Sequence, residues 1–209
     1  MYKAYLKEKQ DFGIGTWIGV LCGIMAITGI IGFFYEVIFY WANSEFHTMY
    51  WRGSTFGPWI DVYCIGSLIM FGVLYRFRSK PWLVLIIGTV GGSLVELLLG
   101  VCMYYFFNGA RGWNYNLEIL NAGSIGGFIC IRSIIVMAAL SMLIIYVVAP
   151  LVIKIAQSMS TSLFITFYYI IGAVCLCDIL YNNVLVNVIP QFKSAYDIYS
   201  QLGMHYMSF

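Results

Sequence analysis

Five long runs of mostly apolar residues divide the sequence and decide what the chain can fold into. They extend over residues 17–41, 58–75, 82–107, 122–148 and 162–188. About 20 apolar residues in a helix cross the hydrocarbon core of a bilayer, so each run is long enough to span a membrane. Charged residues make up only 10% of the chain, which argues against a water-soluble fold. The sequence therefore predicts an all-α fold, a polytopic membrane helix bundle with about five transmembrane helices.

Basic residues indicate how these helices are oriented. The first run carries no cleavage site at the distance typical of a signal peptide, so we expect it to remain as a helix. With the N-terminus inside, the inner segments hold Lys3, Lys7, Lys9, Arg76, Arg78, Lys80 and Lys154, against Arg52, Arg111 and Lys193 outside. Cytoplasmic loops carry the excess of Lys and Arg, which predicts an N-in/C-out, multi-pass protein of the cell membrane.

The division of the chain into domains follows from the same runs. We expect residues 1–190 to form a single transmembrane domain and residues 191–209 a short polar and aromatic C-terminal tail. Small residues four apart allow helices to pack closely, within one bundle or between chains. They occur as Gly19/Gly23, Gly88/Gly92 and Gly123/Gly127.

Ionisable residues within the apolar runs are the strongest candidates for function. A charge near the bilayer centre costs at least about 2.5 kcal/mol, so such residues are rare and generally face a partner or a hydrated cavity. The runs contain Glu36, Asp61, Glu96, Arg132 and Asp178. Two interpretations stay open: a structural clamp that fixes helix register, or the lining of an outward-opening polar cavity.

The depth of each charge follows from a helical rise of about 1.5 Å per residue. On the predicted spans, Glu96, Arg132 and Asp178 all lie roughly 15 Å below the outer surface. We therefore predict that Arg132 pairs with Glu96, with Asp178 or with both, and that Asn182 shares a helix face with Asp178.

Glu36 and Asp61 are expected nearer the outer ends of their spans. Arg52, in the loop between those two spans, could reach either acid. The six cysteines all lie in apolar runs, where cysteine usually behaves as a small buried hydrophobe, so neither a disulfide framework nor a metal site is predicted.

Several motifs follow one another in the outer loops and adjoining spans. Residues 52–66 read RGSTFGPWIDVYCIG, the first span ends GFFYEVIFY, and the third span continues as LVELLLGVCMYYFFNGARGWNYN before NAGSIGGFICIRS. In order and spacing, residues 29–133 resemble the putative ABC-transporter permease family, type IV group. Asp61 stands where the family pattern has Pro, Asn114 where it has Asp, and Phe128 where it has Arg.

The resemblance implies a membrane permease, and it singles out motif residues that the predicted topology places on one side. Outer-loop residues with Glu36 just beneath them suggest a mouth or binding site. The candidate binding residues from both arguments are Glu36, Arg52, Asp61, Glu96, Trp113, Tyr115, Asn121, Arg132 and Asp178.

The leading functional hypothesis is a protein that binds or moves a small polar solute, an ion or a lipid headgroup through an outward-facing polar cavity. The alternatives are a membrane-embedded enzyme acting on a lipid or lipid-linked substrate, and a non-catalytic membrane scaffold. His47 and His205 lack the paired spacing of a zinc hydrolase, and no catalytic residue is assigned.

The expected partners follow from what the sequence contains. No P-loop motif occurs, so any ATPase would be a separate subunit. A net charge of +2 indicates no nucleic acid partner. We expect the lipid bilayer as the surrounding medium, no cofactor, and either a homo-oligomer or a separate ATPase as the protein partner.

Overall fold

The computed structural model describes residues 5–6, 10–43, 50–106, 109, 113–189 and 191–204. Some residues used in the sequence analysis lie outside this part of the chain. They are Lys3, Lys7, Lys9, His47, Arg111 and His205.

Helices account for nearly all regular structure in the described residues, and none of these residues forms a β-strand. The helices are α1 (Ile14–Asn43), α2 (Asp61–Leu74), α3 (Pro81–Phe106), α4 (Ile131–Ser158), α5 (Thr161–Val188) and α6 (Ala195–Gln201). Helix α4 includes a π-helical stretch at Ile144–Val148, and α5 includes another at Tyr181–Leu185. The all-α prediction is confirmed.

Four of these helices, α1, α3, α4 and α5, are long and apolar enough to cross a membrane. The second predicted span differs, because α2 has only 14 residues and continues as a single 3₁₀ turn at Tyr75–Phe77. The chain before it is not helical: Gly53 has a φ of +87°, and the Trp59 N–H bonds to the Gly57 carbonyl in a tight turn. Helix α2 therefore begins after the predicted start at Pro58.

The fourth predicted span also begins later than its hydropathy indicates. Residues 122–130 are apolar, but they form a loop that closes through a bridge between Ile125 and Ile129. Gly123 and Gly127 in this loop have positive φ, so they are not a helix-packing pair as predicted. Arg132 is consequently the second residue of α4, and the prediction that it lies ten residues into the span is wrong.

The described chain folds as two compact units. The first unit contains the residues up to Ile69 together with those from Val148 onward, and the second contains Met70–Val147.

In the first unit α1 packs on α5 and on the end of α4. A Cβ on Gly23 would lie 2.8 Å from both Tyr168 and Val152. The Gly19/Gly23 pair therefore serves packing within the chain.

In the second unit α3 packs on the first half of α4. Gly88 of α3 faces Ser141, and Gly92 faces Met137. This predicted glycine pair also lies at a helix contact within the chain, where the missing side chains let the two helices approach closely.

Helix α2 lies antiparallel to α1 and begins beside its middle. Ile60, just before α2, packs with Val37, whereas Cys64 faces Gly29 and Leu68 packs on the cluster that contains Met25. The Ile60 N–H also bonds to the Gly29 carbonyl at 3.3 Å, and Gly29 is near the centre of the 30-residue α1. The non-helical chain before α2 thus reaches the mid-height of α1.

Candidate functional site

The first unit concentrates its polar contacts on residues 51–60, which we call the returning segment. This segment has no regular helix, yet three of its residues are buried: Arg52, Thr55 and Ile60 are 1%, 0% and 4% exposed. Buried backbone needs hydrogen-bond partners, and here side chains from neighbouring helices supply several of them. The returning segment is therefore held in a defined position by contacts on more than one side.

Helix α1 holds the returning segment through a buried ion pair. The Arg52 Nε lies 3.2 Å from Glu36 Oε2, and the two side chains are 1% and 15% exposed. The guanidinium also lies 3.9 Å from the centre of the Tyr40 ring, a cation–π contact. This confirms that Arg52 reaches Glu36.

Helix α5 holds the segment through the carboxylate of Asp178. Its two oxygens accept the backbone N–H groups of Phe56, at 3.0 Å, and Gly57, at 2.9 Å. Asn182, one turn along α5, donates to the same carboxylate at 2.8 Å, which confirms the predicted shared face. A side chain at Gly57 would collide with the Trp59 ring, so the packing of this ring on the segment requires glycine.

The C-terminal helix α6 contacts the other side of the segment. The Tyr199 hydroxyl donates to the Phe56 carbonyl at 2.6 Å, and its ring packs against Trp51. Burial and the negative charge of Asp178 raise the pKa of Tyr199, which keeps this hydroxyl a donor at neutral pH. The α6 backbone is anchored as well, because Ala195 N–H donates to the Asn182 side chain at 2.7 Å.

A more accessible polar cluster lies where the returning segment meets α2 and α5. Asp61 Oδ2 accepts hydrogen bonds from Ser54, at 3.1 Å, and from Asn183, at 2.9 Å. Its Oδ1 accepts the Val62 N–H at 2.8 Å, where the N-terminus of α2 favours a negative charge. Asn183 is exposed and belongs to the π-helical turn of α5, a local geometry that recurs at functional sites.

The second unit has its own cluster of charges around Tyr115. The tyrosine hydroxyl donates to Glu96 Oε1 at 2.6 Å, and its ring lies under the Arg132 guanidinium at 5.3 Å. Arg132 forms an ion pair with Glu118 of the same loop. Burial, followed by the charge and hydrogen bond of Glu96, raises the pKa of Tyr115, so it stays protonated.

The ion pair that the structure shows for Arg132 is with Glu118, whereas the depth argument proposed Glu96, Asp178 or both. Arg132 reaches the Glu96 cluster from the start of α4, because the loop of residues 113–130 packs beside α3. Glu118, absent from the sequence-based candidates, could have been recognised only with the correct start of α4. Tyr199 was also missed, and nothing in the sequence pattern indicates its contact.

Trp113 and Asn121 bond within the loop of the second unit. The Trp113 indole donates to the Phe128 carbonyl at 2.9 Å, and the Asn121 amide donates to the Asn116 carbonyl at 3.2 Å. These contacts shape the loop that presents Tyr115. Among the described residues, no group of three or more His, Cys, Asp or Glu side chains is placed to hold a metal ion.

Comparison with known proteins identifies the family. A family model described as "Putative ABC-transporter type IV" matches residues 24–182, most of the chain. The protein belongs to this family. No curated protein and no solved structure matches the chain. The type IV family region begins in α1 and ends at Asn182, so it includes the returning segment and the Tyr115 cluster. The family region thus covers the predicted binding residues, whereas Tyr199 lies beyond it.

Proposed function

We propose that the protein binds or moves a small polar solute, an ion or a lipid headgroup at an outward-facing site beside the returning segment. The family membership supports a transport role, and four apolar helices support a membrane location. The observation that carries the proposal is the irregular backbone of the returning segment, which brings the buried residues Arg52, Thr55 and Ile60 to the mid-height of α1. Irregular backbone at membrane depth is tolerated where it is enclosed by protein or lines a cavity, and transporters use such segments as binding sites.

The proposed topology retains five crossings, N-in and C-out, with the returning segment and α2 together forming the second. Helix α2 contributes about 21 Å to this crossing and its 3₁₀ turn about 6 Å. This length reaches the inner surface from mid-membrane, while the returning segment covers the outer half. A discontinuous second crossing explains why four of the helices in the described residues, and not five, have the length of a full span.

Labelling with a membrane-impermeant maleimide tests this topology. In a variant lacking the six native cysteines, Ser79→Cys is expected to stay unlabelled in intact cells and Lys193→Cys to be labelled. Both positions are exposed in the structure. Equal labelling, or no labelling, of the two positions would place them on the same side and contradict the five-crossing topology.

The accessible cluster of Ser54, Asp61 and Asn183 is the proposed solute contact. Asp61 and the Asn183 carbonyl oxygen can accept hydrogen bonds, so they fit a solute that carries hydroxyl or ammonium groups. The buried Arg52–Glu36 pair and the Asp178 contacts hold the segment that supports this cluster. Because the sequence lacks a P-loop, any ATP-driven movement would need a separate ATPase subunit.

Native mass spectrometry of the protein released from its own membranes tests the binding role. We expect wild type to retain a small molecule or lipid, and Asp61→Asn and Asn183→Ala to lose it while remaining folded. Thr89→Ala is the matched control, because the Thr89 hydroxyl is satisfied within α3 by the Leu85 carbonyl at 2.6 Å. Equal retention by wild type and both site variants would refute the site.

A further inference from the structure

Two buried oxygen atoms on α3 have no hydrogen-bond partner among the described residues. One is Glu96 Oε2, and the other is the hydroxyl of Ser93, whose side chain belongs to a residue only 8% exposed. Residues three apart on a helix are neighbours on the same face, about 5–6 Å apart at Cβ. The two side chains therefore lie on the same face of α3, and neither oxygen bonds to the other.

The Ser93 hydroxyl departs from the behaviour of the other helical hydroxyl groups nearby. Thr89 donates to the Leu85 carbonyl, at 2.6 Å, and Ser141 to the Ala138 carbonyl, at 2.8 Å. Such bonds to the preceding turn are the ordinary way a helix satisfies a serine or threonine in an apolar environment. Ser93 makes no such bond, which leaves its oxygen available to a ligand.

The other oxygen of Glu96 is fully engaged, which fixes the direction of the carboxylate. Oε1 accepts the Tyr115 hydroxyl at 2.6 Å. The Ser133 hydroxyl also lies near the carboxylate, and its oxygen is 3.0 Å from the Cys130 carbonyl oxygen, with which it shares its one proton. Leaving a buried acceptor without a donor costs about 1–3 kcal/mol of stability, and more when the acceptor is charged. We therefore expect Oε2 to have a positive or proton-donating partner.

We propose that Glu96 Oε2 and the Ser93 hydroxyl bind a small monovalent cation, with sodium as the probe. Carboxylate and hydroxyl oxygens are hard ligands of the kind that alkali and alkaline-earth ions take. A divalent ion generally requires more oxygen ligands and additional carboxylates. The local charges also favour a cation, because the cluster contains the carboxylates of Glu96 and Glu118 but one guanidinium, that of Arg132.

The position of this ion site gives it a stabilising role that does not depend on the solute site proposed above. Glu96 lies ten residues before the end of α3 and fifteen after its start, so the ion would sit well inside the span. Occupancy would neutralise the buried carboxylate and tie α3 to the Tyr115 loop that contacts it. The cation therefore stabilises the second unit whether or not a solute is bound in the first.

Sodium binding to the detergent-purified protein tests the proposal. We expect saturable uptake of radiolabelled sodium at one ion per chain, and a melting temperature that rises with NaCl but not with N-methyl-D-glucamine chloride at equal ionic strength. Ser93→Ala should weaken sodium affinity about tenfold or more, and Glu96→Gln should abolish saturable binding. Thr89→Ala on the same helix should bind sodium like wild type.

Three results would overturn the proposal. One is the absence of saturable sodium binding by wild type. The second is stabilisation of wild type by mild acid alone, equal with and without sodium, which would show that Glu96 holds a proton instead. The third is unchanged sodium affinity in Ser93→Ala, a conservative variant that keeps the readout decisive even if Glu96→Gln fails to fold.

Discussion

Removing one partner of the buried Arg52–Glu36 pair should destabilise the protein strongly. At 3.2 Å, the attraction between two unit charges is about 5 kcal/mol with an effective dielectric constant of 20. Desolvation offsets much of this attraction, but Glu36→Gln leaves the Arg52 charge buried without its carboxylate. We therefore expect Glu36→Gln to lower the free energy of unfolding by about 3–5 kcal/mol, as measured for other broken buried pairs.

A double-mutant cycle isolates the pair from other consequences of the change. Arg52→Met keeps most of the side-chain length and removes the charge. The stability loss of the double variant should be smaller than the sum of the two single losses, by about 2 kcal/mol or more. The assay is reversible unfolding in mixed detergent and SDS micelles, with Gln157→Ala as an exposed control expected to change stability by less than about 0.5 kcal/mol. Additive losses, within about 0.5 kcal/mol, would refute the energetic coupling inferred from the geometry.

Three further predictions concern other parts of the chain. Tyr115→Phe removes the hydroxyl donor to a buried carboxylate, and we expect a loss of about 1–3 kcal/mol in the same unfolding assay. Gly23→Leu places a side chain against α5 and should reduce the melting temperature and the yield of folded protein, whereas Gly72→Leu, in open space, should not. Hydrogen bonds from Ser194 lower the pKa of Asp197, so the cap of α6 is stabilised above the ordinary carboxyl pKa and lost as pH falls below about 4. The protection factors of residues 195–201, which are exchange rates corrected for the intrinsic effect of pH, should fall at low pH in wild type and be low at every pH in Ser194→Ala.

Hydropathy predicted the long helices because it depends on a property summed over some twenty residues. It failed where apolar composition and backbone geometry disagree. Residues 122–130 are apolar enough to continue a span, yet Gly123, Gly126 and Gly127 take left-handed conformations that end helical propagation. The prediction for Arg132 failed with them, since its depth was counted from a helix start that was nine residues too early.

An ion pair between side chains close in sequence was easier to predict than hydrogen bonds between a side chain and a distant stretch of backbone. Arg52 and Glu36 flank one connection and carry opposite charges, so their pairing follows from charge and topology. Asp178 instead accepts the N–H groups of Phe56 and Gly57, more than 120 residues away, and the backbone donors have no signature in the side-chain sequence. The sequence therefore indicated that Asp178 matters and not which group it binds.

That long separation has a consequence for how the protein is made. The returning segment leaves the ribosome early and can pair with Glu36 as soon as both are synthesised, but its Asp178 acceptor arrives 122 residues later. Tyr199 arrives later still, 143 residues after Phe56. Until then the N–H groups of Phe56 and Gly57 need water or another acceptor. The contacts that complete the returning segment therefore form only after Asp178 and Tyr199 have been synthesised.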